Sequence, residues 1–190
     1  MYEKLVSHKL NSFVNFFLPA DQFSYRKDLG YTDALLTVSH HLQKSLDTGM
    51  ESYIVQLDFG AALDRVSHSG LLFKLKSIGL CGSVLSICRE FLSNCRQRIV
   101  DNGATSELIL IVSIVPQGSV LGPLLFILYA SEMFELVENR LYANADDSTW
   151  LVFVLKSADR PAVAAFRNRD LSRIQKLCNH WCMILNPNKT

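Results

Sequence analysis

No surplus of charge marks this chain: 19 lysines and arginines stand against 18 aspartates and glutamates, for a formal net charge of +1. A global electrostatic attraction to nucleic acid is thereby excluded, and any phosphate binding has to come from a local groove. Long apolar runs are missing too. The longest, residues 108–115 and 120–130, are too short to cross a bilayer, and Gly122-Pro123 interrupts the second. Internal repeats, low-complexity tracts and a linker that would force a domain boundary are absent. No signal peptide precedes the cysteines, whose number, five, is odd; an intracellular, reducing compartment, cytoplasmic or nuclear, is expected, with no membrane as partner. Cys178 and Cys182 have helical i, i+4 spacing, yet no second pair completes a zinc site, so all five read as free thiols. What is present is a globular composition, 49% hydrophobic and 19% charged over 190 residues, enough to bury a sizeable core.

Apolar positions Leu5, Leu10, Phe13, Val14, Phe17 and Leu18 recur at roughly helical spacing and predict a helix over 2–18, ending at Pro19. After a polar and aromatic link at 21–27, Thr32 as N-cap and Asp33 in the first turn predict a second helix to Asp47, stopped by Gly49. Residues 53–59 are β-rich. Residues 64–79 read as a helix with Leu71, Leu72, Leu75 and Ile78 on one face, and 83–92 as another. A strand-like stretch from Arg96 to Val100 leads to the turn Asp101-Asn102-Gly103, and the β-branched run 108–115 predicts a buried strand. Pro116-Gln117-Gly118 breaks that strand, and Ser119 caps a helix over 120–137, with Pro123 tolerated near its first turn. Strand-like runs on either side of Asp146-Asp147-Ser148 predict a β-hairpin, followed by an amphipathic helix over 162–180 and a short strand at 183–185. This order suits a small antiparallel sheet with helices on one face, an α+β fold.

The doubled acid in the hairpin is the chemical focus. Asp and Ser are ordinary turn residues, so alone the pair carries no argument. A third carboxylate changes that: Asp58 sits inside a β-rich apolar run, where an acid is costly to bury unless something cationic pairs with it. A small antiparallel sheet brings Asp58 and Asp146 together from neighbouring strands. Two Mg²⁺ ions about 3.5–4 Å apart clamp the attacking and leaving oxygens of an in-line phosphoryl transfer, and they need carboxylates from separate rigid elements. Asp58, Asp146 and Asp147 supply that number and type.

Four further stretches stand in a telling order: Asp58-Phe59-Gly60-Ala61-Ala62-Leu63-Asp64-Arg65-Val66-Ser67-His68, then Val115-Pro116-Gln117-Gly118-Ser119-Val120-Leu121-Gly122-Pro123, then Ala145-Asp146-Asp147, then Leu185-Asn186-Pro187-Asn188-Lys189. This succession resembles that of reverse transcriptases. The pattern Asp-x-Val-x-His-x-x-Leu-Leu at 64–72, and Gln22-Phe23-Ser24-Tyr25-Arg26 before it, are similar to the non-LTR, LINE-like branch. The resemblance implies the palm of a right-hand polymerase over 51–190, fingers-side helices and link over 1–50, and no thumb within the chain. It implies RNA-directed DNA synthesis with an RNA template, a DNA primer and deoxynucleoside triphosphates as partners and two Mg²⁺ ions (Mn²⁺ as a substitute) as cofactors; an obligate protein partner is not inferable. By resemblance Asp58 and Asp146 are the main metal ligands, Asp147 is the third acid, and the Phe59 carbonyl completes a shell. Pro116, Gln117 and Gly118 place the next helix against template and nucleotide, Arg26 faces the triphosphate, and Lys189 protonates the pyrophosphate leaving group. Without the resemblance, Lys189 reads as a solvated lysine and Arg26 as a solvated charge on the link.

Three positions depart from the family pattern. Leu63 stands where the family has an aromatic gate under the sugar, so discrimination against ribose should suffer. Ile114 stands where a glycine usually precedes Val-Pro-Gln-Gly, a cost if the backbone there needs a glycine-only conformation. Asn144 stands where a ring contacts the primer end; Tyr142 is on the same strand face but about 7 Å away along the strand. These departures support an alternative: an inactive retroelement remnant that binds nucleic acid through Arg26, Arg96 and Arg98. An RNA-dependent RNA polymerase or nucleotide cyclase on a similar sheet fits less well, because of the Pro-Gln-Gly segment.

Overall fold

The structure, a computed structural model, describes residues 2–93, 95–111, 113–116 and 118–186. In chain order the elements are α1 (Tyr2–Val14), α2 (Tyr31–Asp47), β1 (Met50–Leu57), α3 (His68–Ser77), α4 (Gly82–Leu92), β2 (Arg96–Gln97), β3 (Val100–Asp101), β4 (Ala104–Thr105), β5 (Ile109–Leu110), α5 (Gly122–Ala130), β6 (Arg140–Asn144), β7 (Asp147–Leu155) and α6 (Arg160–His180). The fold is α+β.

Its frame is a three-stranded antiparallel sheet in the order β1-β7-β6. The expected hairpin is β6–β7; Asn144 pairs with Asp147, so the turn is Ala145-Asp146 and Asp147 already opens β7. Period-two alternation splits β7 between two cores. Trp150 and Val152 join Leu57 and Leu141 in the main core, against Leu71 and Leu75 of α3, residues 124–130 of α5 and Ile174 and Cys178 of α6. Leu151 and Tyr142 face the other way, onto Phe23 and Ala34, so the opposite face carries α2. With both faces covered, residues 150–152 form a continuous apolar run instead of an alternating one. Helix α5 has no charged residue and is buried almost throughout, which its sequence GPLLFILYA requires.

Buried Lys74 of α3 locks three helices together. It donates to the Tyr129 carbonyl at 3.0 Å and pairs with Glu132 at 3.2 Å. Trp181 Nε1 also donates to Glu132, at 2.9 Å, and the Tyr129 hydroxyl donates to the Trp181 carbonyl. Burial pulls the Lys74 pKa below its ordinary value, and Glu132 opposes that pull.

Several element boundaries differ from the sequence expectation, each for a local reason. Helix α2 is capped at Gly30, whose N–H the Asp33 carboxylate accepts at 2.8 Å; Thr32 lies inside the first turn. The helix expected over 64–79 is a 3₁₀ turn, Leu63–Arg65, followed by α3. Between them Val66 and Ser67 are extended, Ser67 bridges to Ser113 and caps α3 through Gly70 N–H. In its described part the run 108–115 is not a buried strand: Leu108, Ile109 and Leu110 are more than half exposed, and β2 pairs with β5 while β3 pairs with β4 between them, forming one exposed arm. Among the described residues of the run, Val115 is the one in the core, and its N–H donates to the Leu63 carbonyl. The helix expected over 120–137 with Ser119 as its cap starts at Gly122 with Leu121 as N-cap; Ser119 Oγ accepts from Gly122 N–H from two residues before that cap, and α5 stops at Ala130 and continues only as a 3₁₀ turn to Glu135. A side chain at Gly122 would sit 2.6 Å from Ser119 Oγ and 2.8 Å from Val115 Cγ1, so glycine is what lets α5 start this close to the preceding turn. The strand expected at 183–185 is a single bridge, Phe59 to Leu185.

Ile114 has a φ of +103°. For a β-branched residue that is an outlier, and it bears out the expectation that this position suits glycine. The conformation is held from three sides: Ser113 bridges to Ser67, Ile114 N–H donates to Val66, and the Ile114 carbonyl lies 2.7 Å from His68 Nε2. An Ile114→Gly variant should be more stable than Ile114→Ala by about 1 kcal/mol, reversing the usual order of these two residues. Urea denaturation of the two variants checks this; the ordinary order would show that the backbone at 114 is not strained.

Candidate active site

The site starts from strand register. Leu57, the last residue of β1, pairs with Ser148, so Asp58 comes level with Asp147 at the open end of the sheet. The segment after α6 grips the Asp58 turn. Asn186 N–H donates to the Asp58 carbonyl at 2.8 Å, Asn186 Nδ2 donates to Asp58 Oδ2 at 3.1 Å, and Gly60 N–H donates to Ile184 at 2.8 Å. Asp58 is half-buried, while Asp146 and Asp147 are exposed.

Two cavities flank the acids. One, of about 250 Å³, is lined by Asp146 with Tyr25, Phe59, Leu63, Pro123 and Phe126 among others. The other, of about 390 Å³, is lined by Asp58 and Asp147 together with Tyr31, Gln56, Ser148 and Thr149. The hairpin turn thus divides its acids between the two sides. Ser148 lines the second cavity with a buried hydroxyl that lacks a hydrogen-bond partner among the described residues. Carboxylate oxygens are the donors that Mg²⁺ and Mn²⁺ select, and Mg²⁺ is usually held by one or two protein carboxylates with the rest of its shell left to water and substrate phosphates. The donor chemistry therefore fits such an ion, although no group of three His, Cys, Asp or Glu side chains among the described residues forms a ready cage.

The acid turn is stitched to the link before α2. Gln22 forms a parallel bridge to Ala143, with Phe23 N–H donating to Ala143 at 2.9 Å and Ala143 N–H to Asp21 at 3.0 Å. The Gln22 side chain is buried, and its Oε1 accepts from Ser24 N–H at 3.1 Å and from Ala145 N–H at 3.3 Å. Ser24 Oγ donates to Asn144 Oδ1 at 2.5 Å. Ala145 takes a left-handed backbone, φ +61°, which turns the chain at the acids.

Of the residues singled out from the sequence, Phe59 and Leu63 line the first cavity with Asp146. Asn144 is engaged with Ser24. The Arg26 guanidinium does not line that cavity; it donates to Asn15 Oδ1 and to the carbonyls of Pro19, Ala20 and Gln22. Pro116 accepts from Ser119 N–H, and Gly118 has a left-handed φ of +80°. Gln117 and Lys189 lie outside the described residues. Arg96 and Arg98 stand exposed on the arm. Reasoning from the sequence missed Gln22, Tyr25, Pro123 and Phe126 as parts of the site. All four fall inside stretches that carried the family resemblance or directly follow one, so the signal was present without a role attached.

An acid-bearing hairpin beside an acid-ended strand, in a small antiparallel sheet backed by helices, defines the palm-and-fingers class of polymerase folds. The family profile described as reverse transcriptase (RNA-dependent DNA polymerase) matches residues 1–190, and the chain belongs to that family. It is 25% identical, over all of its own length and 22% of the relative's, to a probable RNA-directed DNA polymerase from transposon BS of Drosophila melanogaster. It is 30% identical to the RNA-directed DNA polymerase from mobile element jockey of Drosophila funebris, over 70% of this chain and 15% of that one. The chain spans about a fifth of the length of these curated relatives, which place it with LINE-like reverse transcriptases. The solved structure of telomerase from Candida albicans, in complex with a TWJ fragment of telomeric RNA, matches with a TM-score of 0.67 at 16% identity, over 99% of this chain and 33% of that one. That match concerns the fold alone. Reverse transcriptases generally use divalent metal ions.

Replacing Gln22 by Leu keeps the bulk but strands the N–H groups of Ser24 and Ala145. The expected cost is about 2 kcal/mol of stability, with faster hydrogen exchange at the Ala145 amide. Unchanged exchange at Ala145 would show that Gln22 does not hold the acid turn.

Proposed function

We propose that the chain carries the nucleotidyl-transfer site of an RNA-directed DNA polymerase. A primer 3′-hydroxyl attacks the α-phosphate of a deoxynucleoside triphosphate paired to an RNA template, and pyrophosphate leaves. The observation that carries this reading is the meeting of Asp58 with the Asp146-Asp147 turn at one end of the sheet, between two cavities, in a chain of this family. Residues 1–50 serve in it as the fingers side and 51–190 as the palm.

Asp58, Asp146 and Asp147 are the residues that would hold two Mg²⁺ ions, with Mn²⁺ as a substitute and the Phe59 carbonyl as a further oxygen. When bound, such ions activate the attacking hydroxyl and neutralise charge on the transferring phosphate. The protein's own part is positioning. Asn186 orients the Asp58 carboxylate through Oδ2 and fixes its backbone, so this acid is presented in one orientation. Gln22 and Asn144 hold the turn that places Asp146 in the lining of the first cavity. Leu63 and Phe59 form the apolar floor for sugar and base, and Pro123 and Phe126 bring the start of α5 against them. Pro116, Gln117 and Gly118 act by setting where α5 begins. Arg26 acts through the link it holds; contact with a triphosphate would require its guanidinium to leave the carbonyls of Pro19, Ala20 and Gln22. Lys189 is the proposed acid for pyrophosphate departure. It follows Asn186 by three positions in the sequence.

Primer extension on an RNA template with deoxynucleotides and Mg²⁺ tests the reading. The expected result is short, distributive products from the wild-type chain and none from Asp58→Ala. Equal product from both proteins would show that Asp58 is not part of a transfer site.

A further inference from the structure

Among the described residues, seven other than glycine have positive φ, and three of them, Tyr25 (φ 58°), Ala61 (φ 53°) and Ala145 (φ 61°), line the cavity beside Asp146. For the alanines this backbone is mildly uphill. For a bulky ring it is a marked departure from what the chain prefers, and such strain persists only where the surroundings over-determine it. Here they do. On one side of Tyr25, Ser24 is fixed twice, by its N–H to Gln22 Oε1 and by its hydroxyl to Asn144 Oδ1. On the other side Arg26 is tied to Pro19, Ala20 and Gln22. Gln22 itself is bonded to the acid turn at Ala145, so the Tyr25 backbone and Asp146 are mounted on one rigid piece.

Folding does not explain why a ring stands at this point. Tyr25 is 53% exposed and adds little to the core. A large amphipathic residue in the lining of a cavity that also holds apolar side chains is what a ligand-binding wall requires. The same cavity is lined by Leu63, at the position where the family resemblance puts an aromatic gate, and a leucine leaves room there and can change rotamer.

We propose that Tyr25 sets the sugar specificity of this cavity: its ring closes against the 2′ carbon of an incoming nucleotide from the link side, supplying the wall that Leu63 does not. The proposal rests on the nucleotidyl-transfer reading above. It also gives Asn144 a function: the amide that replaces a ring on β6 anchors Ser24 and so holds Tyr25 in place. Tyr25 is thus a specificity-determining residue, and Asn144 a positioning residue that acts through Ser24.

The test compares equilibrium binding of dGTP and GTP, which differ only in the 2′-hydroxyl, by calorimetry with Mg²⁺ and no primer. The wild-type chain should favour dGTP by about tenfold, the discrimination a shaped pocket gives against one added hydroxyl. Tyr25→Ala should bring the dGTP-to-GTP ratio close to unity, and Tyr25→Phe should keep the wild-type ratio. Tyr25→Asn, which tolerates the left-handed backbone, should behave like Tyr25→Ala, and adding Leu63→Phe to Tyr25→Ala should restore discrimination from position 63. If both nucleotides bind and Tyr25→Ala and Tyr25→Asn leave the ratio at its wild-type value, this inference is overturned and the nucleotidyl-transfer reading stands. If neither nucleotide binds the wild-type chain, both are overturned.

Discussion

The buried amide of Gln22 is the contact on which the rest of the site depends. One oxygen accepts from Ser24 in the link and from Ala145 in the acid turn, so a single side chain couples the segment before α2 to the hairpin that carries Asp146 and Asp147. The turn needs such help, because Ala145 has to adopt a left-handed backbone that alanine does not favour. The single parallel bridge of Gln22 to Ala143 lays the link along the outer edge of β6 and covers part of that sheet edge. Asp58 is held in a comparable way from the other end of the chain, by Asn186. Each acid is therefore positioned by a segment remote in sequence.

The same logic organises the departures from the family pattern. Ile114 keeps the backbone expected of a glycine at a strained φ, because the pairing of Ser113 with Ser67 and the contact of its carbonyl with His68 leave no alternative. Asn144 has no ring to offer a primer but holds the link. These positions have changed chemistry while the scaffold around the three carboxylates retains its connections.

Much of this was legible in the sequence. The hairpin at 140–155, the long last helix and the pairing of Asp58 with the doubled acid followed from periodicity, turn chemistry and the scarcity of reasons to put acids in apolar runs. What failed did so where tertiary pairing overrode local pattern. The β-branched run at 108–110 reads as buried, yet it lies in an exposed arm, because its partner is the equally short β2 of the same arm. The helix expected from Asp64 breaks at Val66 and Ser67, because those residues pair with Ser113 and Ile114 some 47 positions on, which no local window reveals. The role of Gln22 was hidden for the same reason: a glutamine in a polar link gives no sign that its amide will be buried against a turn more than a hundred residues away.

The central claim, that Asp58 and the Asp146-Asp147 turn form one divalent-ion site, is tested most directly by titrating Mn²⁺ into the isotopically labelled chain and following paramagnetic broadening of its amide signals. The account predicts that the amides of Phe59, Ala145, Asp146 and Asp147 broaden first and together, and that Asp58→Asn abolishes the effect. Broadening that begins at another acidic stretch, such as Glu132 to Glu138, while those four amides stay sharp, would contradict it.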